Sequence, residues 1–200
     1  PHIEAVFGNL SSRDPRFIPF TIADKPNRES VPMLKALEKL LNLPDSRMAI
    51  SDLMDLLEVP AFRERFGLGE ADLPRLHRWI EGAGISWGLN QDQRTSFGLP
   101  PGLAQNTWDF GLKRMLLGYA VGKGDEWNDI EPYDEVGGLE AALVGPLAAV
   151  LDEMEILWKA LSRPGTPGQW CQRIRNLARD CFSPMGNQDR LTLNRLEQVL

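Results

Sequence analysis

Four groups of residues in this chain have types and spacings that could do chemistry. Tyr133-Asp134-Glu135 sets two adjacent carboxylates beside a phenol. Paired acids push one pKa upward, so such a pair can act as general acid and base. The plainer reading, a solvated acidic loop capping the helix that starts near Leu139, is preferred. Gly118-Tyr-Ala-Val-Gly-Lys-Gly has the glycines and lysine of a phosphate loop. Its spacing is wrong, no Ser or Thr follows Lys123, and it follows a helix rather than a strand, so it reads as helix stop and loop. Arg173, Arg175 and Arg179 crowd one helical segment and could reach phosphate. A solvated face paired with nearby acids is the plainer account. The last group is the six tryptophans. Trp79, Trp108, Trp158 and Trp170 sit among apolar neighbours at helical spacing and read as core. Trp87 and Trp127 fall in loops and are candidate partner contacts.

The usual catalytic sets are missing. His2 and His77 are the only histidines, and His77 reads as a partly exposed helical residue rather than a ligand. Cys171 and Cys181 stand ten apart without metal-ligand spacing and read as reduced thiols of a cytosolic protein. No apolar run is long enough to span a bilayer, and no signal peptide is visible. The 200 residues carry a net charge of −6, which argues against an autonomous nucleic-acid binder. The charge is uneven. Residues 124–155 hold ten acids and no Lys or Arg, whereas 163–195 are arginine-rich. An acidic half and a basic tail suggest that the two surfaces meet different things.

The elements that must position these groups are mostly helices. The clearest runs from Asn106 to Gly122, with Asn106 as N-cap, Asp109 favoured by the helix dipole and Gly122 as stop. Trp108, Leu112, Met115, Leu116 and Tyr119 share one face, expected to be buried, and Lys113 and Arg114 are expected to be surface charges. This helix is expected to be the central packing element. Before it, Ile3–Phe7 reads as a helix end, 16–23 as a short strand and 24–28 as a turn. Helices follow with stripes Met33/Leu34/Leu37/Leu40/Leu41, Leu53/Leu56/Leu57 and Leu73/Leu76/Trp79/Ile80. Ile85–Leu89 reads as a short extended piece, and 90–105 as a long loop.

Leu139–Leu161 reads as the longest helix, with a kink or break at Pro146, which removes a hydrogen bond and clashes with the Ala142 carbonyl. Residues 169–182 and 188–200 are two further helices. The fold class is therefore mainly α, with at most one or two short N-terminal strands. The chain opens on Pro1 and closes within an amphipathic pattern, so it reads as a piece of something longer.

Several stretches, in order, resemble the RecC family, the gamma subunits of exodeoxyribonuclease V. They are Ile3-Glu-Ala-Val-Phe-Gly, Ile18-Pro-Phe-Thr-Ile-Ala-Asp, Leu41-Asn-Leu-Pro-Asp-Ser-Arg, Gly84-Ile-Ser-Trp-Gly-Leu, Thr107 to Ala120, and Glu126-Trp-Asn-Asp-Ile-Glu-Pro-Tyr-Asp-Glu. The likeness runs from the start to about Leu151 and fades after Trp158. The run from Thr107 to Ala120 is its most specific part.

The resemblance implies a DNA-repair and recombination machine in which the gamma subunit joins a helicase–nuclease beta subunit and a helicase alpha subunit. It implies a multi-helix domain resembling the 2B insertion domain of superfamily-1 helicases over residues 29–200, with 1–28 a remnant of domain 2A. The piece would be non-catalytic, serving as scaffold and as a candidate part of a strand channel. DNA would be met in the assembled complex, in the bacterial cytoplasm and not at a membrane. ATP and Mg would be used by the partner subunits, with no cofactor, metal or catalytic residue here. No family site residue transfers to a position in this chain. The rival reading is a helical protein-interaction module with no DNA contact, anchored by Trp87 and Trp127.

Overall fold

The computed structural model describes residues 31–200. The expected helix end, short strand and turn before residue 30, and the 2A remnant, lie outside the described residues. Within the described residues the fold is all-α, as expected, and no strand is present. No described helix is long and apolar enough to cross a membrane.

Sequence punctuation explains the first elements. Helix α1 (Pro32–Leu41) carries Pro32 in its first turn, where a missing N–H costs nothing, and buries Met33, Ala36, Leu37 and Leu40. A 3-10 turn (Leu43–Asp45) follows. Helix α2 (Ile50–Leu57) buries Leu53, Leu56 and Leu57. The Asp52 carboxylate accepts the Ala49 N–H at 3.0 Å and closes the first turn of α2. Helix α3 (Pro60–Arg65) again starts on proline. Its buried Arg63 donates to the Leu57 carbonyl at 2.8 Å and the Glu58 carbonyl at 3.1 Å. A cation there satisfies the orphan acceptors at the end of α2 and opposes the negative pole of its dipole. Helix α4 (Leu73–Gly82) begins late, as expected from Pro74, and buries Leu76, Trp79 and Ile80.

The span expected to be a loop at 90–105 contains helix α5 (Gln91–Ser96), capped by Asn90, whose Oδ1 accepts the Gln93 N–H at 3.0 Å. Two of its polar residues, Gln93 and Arg94, are not solvated. Arg94 is buried and donates to the carbonyls of Trp87, Leu103 and Gln105 at 2.7–3.0 Å. Gln93 is wholly buried and bonds Leu89 N–H and the Ser46 carbonyl. These side chains supply partners to loop backbone that would otherwise be buried unsatisfied. Residues 85–89, expected to be a short extended piece, instead bend at Trp87 and Leu89 around Gly88 at φ 82°, and are tied down by the Arg47 carbonyl and by the start of the next helix.

Helix α6 (Trp108–Val121) is capped by the Thr107 hydroxyl rather than by Asn106, which lies in the left-handed region at φ 62°. Gly122 ends it at φ 65°, as expected of a residue without Cβ. The buried face differs from the expected one. Trp108, Gly111, Met115 and Gly118 point inward, whereas Leu116 and Tyr119 are exposed and Leu112 is half-buried. The reason is steric. At Gly111 a Cβ would overlap the Ile85 side chain, and at Gly118 it would overlap the Tyr133 carbonyl. Glycine on that side lets the chain approach closer than any apolar side chain would allow.

A 3-10 stretch (Gly138–Leu143) leads into helix α7 (Val144–Leu161). The break expected near Pro146 occurs just before it, so Pro146 sits in the first turn, where its missing N–H is harmless. Helix α7 buries Val144, Leu147, Val150, Leu151, Met154, Leu157, Trp158 and Leu161 and packs against α6, α8 and the Leu43–Asp45 turn. It, rather than α6, is the helix the core is built on. Helix α8 (Pro167–Cys181) opens with a capping box from Thr166 and Gln169 and packs on α7 and α3. Helix α9 (Asn187–Val199) touches α1 but buries no residue completely.

Candidate interaction surface

The carboxylates at 134 and 135 belong to a structural joint. Tyr133 is buried, its N–H donates to the Arg114 carbonyl at 3.0 Å, and its hydroxyl donates to Glu135 at 3.0 Å. Asp134 instead faces Lys123 at 3.8 Å. Burial, then the Glu135 carboxylate, push the Tyr133 phenol up to about 12. The folded protein therefore holds this proton more tightly than the unfolded chain does. The resulting stability is fully present below about pH 10 and is lost as pH rises through about 12. The chain has two tyrosines, so Tyr119→Phe leaves Tyr133 alone. Its phenolate absorbance in that variant is expected to rise with a midpoint near 12. A midpoint at the ordinary tyrosine value would contradict the buried joint.

Arg114, expected at the surface, is a second part of this joint. Its guanidinium donates to the Ala83 carbonyl at 2.7 Å and the Glu131 carbonyl at 2.9 Å, and meets the Glu131 carboxylate at 3.3 Å. Lys113 is exposed, as expected, and pairs with Asp109 at 2.7 Å. The glycines and lysine at 118–124 occupy the C-terminal end of α6. Helix carbonyls point there and the dipole is negative, the opposite of what phosphate requires. His77 is a helical residue beside Glu81 at 3.4 Å. Cys181 is fully buried, which pushes its thiol pKa well up, and Cys171 is half-buried. Among the described residues no group of His, Cys, Asp or Glu could hold a metal ion.

The three arginines of α8 lie within one helix but serve separate internal contacts. Arg173 donates to the Arg163 and Pro164 carbonyls, closing the loop before α8, and stacks 4.9 Å over the half-buried Trp170 ring. Arg175 pairs with Glu197 of α9 at 2.9 Å. Arg179 makes two bonds to Asp180, at 2.9 and 3.0 Å. Arg175, Arg179, Phe182 and Leu196 line an apolar groove of about 270 Å³ between α8 and α9.

The two loop tryptophans diverge. Trp87 is half-buried, with Arg94 4.7 Å and Arg47 5.7 Å from its ring centre and Phe97 packed edge-on. Trp127 is 63% exposed. Its position is set by a two-residue turn in which Trp127 and Ile130 exchange both backbone hydrogen bonds at 3.0 Å. Asn128 and Asp129 between them have φ of 51° and 60°, the signature of a type I′ turn, which Asn and Asp tolerate better than other non-glycine residues. Residues paired in this way project their side chains to the same side of the ribbon. Trp127 and Ile130 thus line, with Lys113, Leu116 and Leu117, an open apolar cleft of about 420 Å³ on the outer side of α6. Next to it, Asp125, Glu126, Asp129 and Glu131 line a polar cleft of about 500 Å³ with Arg114.

Reading from sequence identified Trp127 but placed Leu116 and Tyr119 on the buried side. The missed signal is the stripe Trp108, Gly111, Met115, Gly118, at i, i+3, i+7 and i+10, which marks a close-packed face.

Residues 30–200 match the family model of the RecBCD enzyme subunit RecC fourth domain. The chain belongs to the RecC family. The RecC match extends past Trp158 through α8 and α9, where the stretch-by-stretch likeness had faded. Among RecC relatives, the RecBCD enzyme subunit RecC of Escherichia coli K12 is 40% identical over 185 residues, 92% of this chain and 16% of its own length. That of Haemophilus influenzae is 33% identical, over 91% of this chain and 16% of its own length. That of Mycobacterium tuberculosis H37Rv is 31% identical over 70% of the chain and 13% of its own length. The chain thus spans about a sixth of the length of the first two RecC proteins.

Proposed function

We propose that this domain is a non-catalytic assembly element of a RecC-type subunit within a RecBCD-type helicase–nuclease that processes DNA ends in repair and recombination. The match to the RecC fourth domain over residues 30–200 carries this reading. Its partners would be the RecB- and RecD-type subunits, with ATP and Mg used by those motors. The order of the motifs supports placing residues 29–200 as a counterpart of a helicase 2B insertion domain.

The site chemistry supports scaffold over strand channel. Buried cations such as Arg63 and Arg94 bind backbone carbonyls, and Arg173, Arg175 and Arg179 are engaged within the domain. A strand channel needs guanidiniums free for phosphate, and those three would first have to leave their internal partners.

The purified chain is expected to hydrolyse no ATP and to cut no DNA with Mg present. The full-length subunit is expected to co-purify with its RecB- and RecD-type partners. Metal-dependent nuclease activity that persists through repurification of the chain would overturn the reading.

A further inference from the structure

The inner face of helix α6 alternates Trp108 and Met115 with Gly111 and Gly118, and several of its other apolar residues point outward. Leu116, Tyr119 and Val121 are 47%, 60% and 54% exposed. Single exposed apolar residues are ordinary, whereas a gathered patch marks a contact surface. Here the gathering is enforced. The turn at Asn128 and Asp129 holds Trp127 and Ile130 beside Leu116 and Leu117. The turn holds Trp127 in place through both Trp127–Ile130 backbone hydrogen bonds while leaving it 63% exposed.

Charge says what that partner is. Asp125, Glu126 and Asp129 line the neighbouring polar cleft with Arg114 and Glu131, and these three acids have no ion-pair partner among the described residues. The two lysines nearby are already matched, Lys113 to Asp109 and Lys123 to Asp134. Residues 124–155 contain no Lys or Arg. An acid-rimmed apolar cleft repels phosphate and favours a segment whose apolar anchors are flanked by Lys and Arg. In a second copy of this chain the arginines of α8 are already engaged by Glu197, Asp180 and backbone carbonyls, so it would have to dock through other cations such as Arg190 or Arg195. Resting on the assembly role proposed above, we infer that the outer face of α6 with the 125–130 turn docks a basic segment of a partner subunit, with Trp127 as its central anchor.

The test uses the full-length subunit assembled with its RecB- and RecD-type partners, with a benzophenone photo-crosslinking residue replacing Trp127. The expected product joins position 127 to a partner-subunit peptide in which Lys and Arg flank apolar residues. Combining Asp125→Lys, Glu126→Lys and Asp129→Lys should lower that yield about tenfold, and Trp127→Ala should weaken partner binding about tenfold. All four positions are exposed, so helix content by circular dichroism should be unchanged. A complex that assembles but gives no crosslink overturns the docking face alone. So does a crosslink to DNA, to another part of the same chain, or to an acidic segment. A subunit that never joins its partners overturns the assembly role, and this inference with it.

Discussion

Gly118→Ala is expected to destabilise the domain by about 3 kcal/mol or more, although the same change in an open helix interior would stabilise it by about 1 kcal/mol. The new Cβ would fall on the Tyr133 carbonyl group, which is backbone and cannot swing aside as a side-chain tip would. The loop cannot easily retreat either. Tyr133 is held by its N–H to Arg114 and by its hydroxyl to Glu135, and Arg114 is itself tied to Ala83 and Glu131. Relief would require α6 to lift from the loop, opening the contact along Gly111 and Met115. Gly145→Ala is the matched control, because a Cβ there, in the first turn of α7, meets nothing within 4 Å. Urea unfolding followed by circular dichroism should separate the two variants by several kcal/mol, with Gly145→Ala near neutral or slightly stabilising. Equal midpoints would mean that α6 does not lie on this loop.

Trp108→Ala should cost about 3–5 kcal/mol, the usual range for removing a fully buried tryptophan. Trp108 is 0% exposed, and its Nε1 donates to the Met48 carbonyl at 2.7 Å. Met48 is itself held in the left-handed region at φ 49°, and its side chain is buried. The indole therefore fills core volume and satisfies the carbonyl of a strained residue. Trp108→Phe separates these roles by keeping most of the ring while orphaning that carbonyl, at an expected cost of about 1–3 kcal/mol. Denaturant midpoints by circular dichroism check both. If Phe and wild type unfold at the same midpoint, the Met48 contact contributes nothing.

Much of the helical framework is legible in local residue types. Pro32, Pro60 and Pro74 mark first turns because proline lacks only an N–H that those turns leave unbonded. Gly122 marks a stop, and the apolar stripes of α1, α2 and α4 face inward as their spacing requires. Helix α5 escaped because a short polar run, Gln91–Ser96, looks the same whether solvated or buried under a loop. Arg94 and Arg114 escaped for a related reason, since guanidinium partners here are backbone carbonyls, which any residue supplies. At the candidate surface, Trp127 was visible as a loop aromatic, but the cleft it shares with Leu116 was not.

The sequence by itself determined the mainly α class, the proline-marked starts of α1, α3 and α4, the stop of α6 at Gly122 and, through its ordered motifs, the RecC family. These depend on interactions within a few residues or on a string of side-chain identities. Only the tertiary structure decided which face of α6 is buried and that α7 is the helix at the centre of the core. It also decided that Leu116 and Tyr119 face outward while Trp108 is buried. Helical periodicity places Leu116 and Tyr119 on one stripe and Gly111 and Gly118 on another. Which stripe turns inward depends on how closely Ile85 and Tyr133 approach, and those residues are distant in the chain.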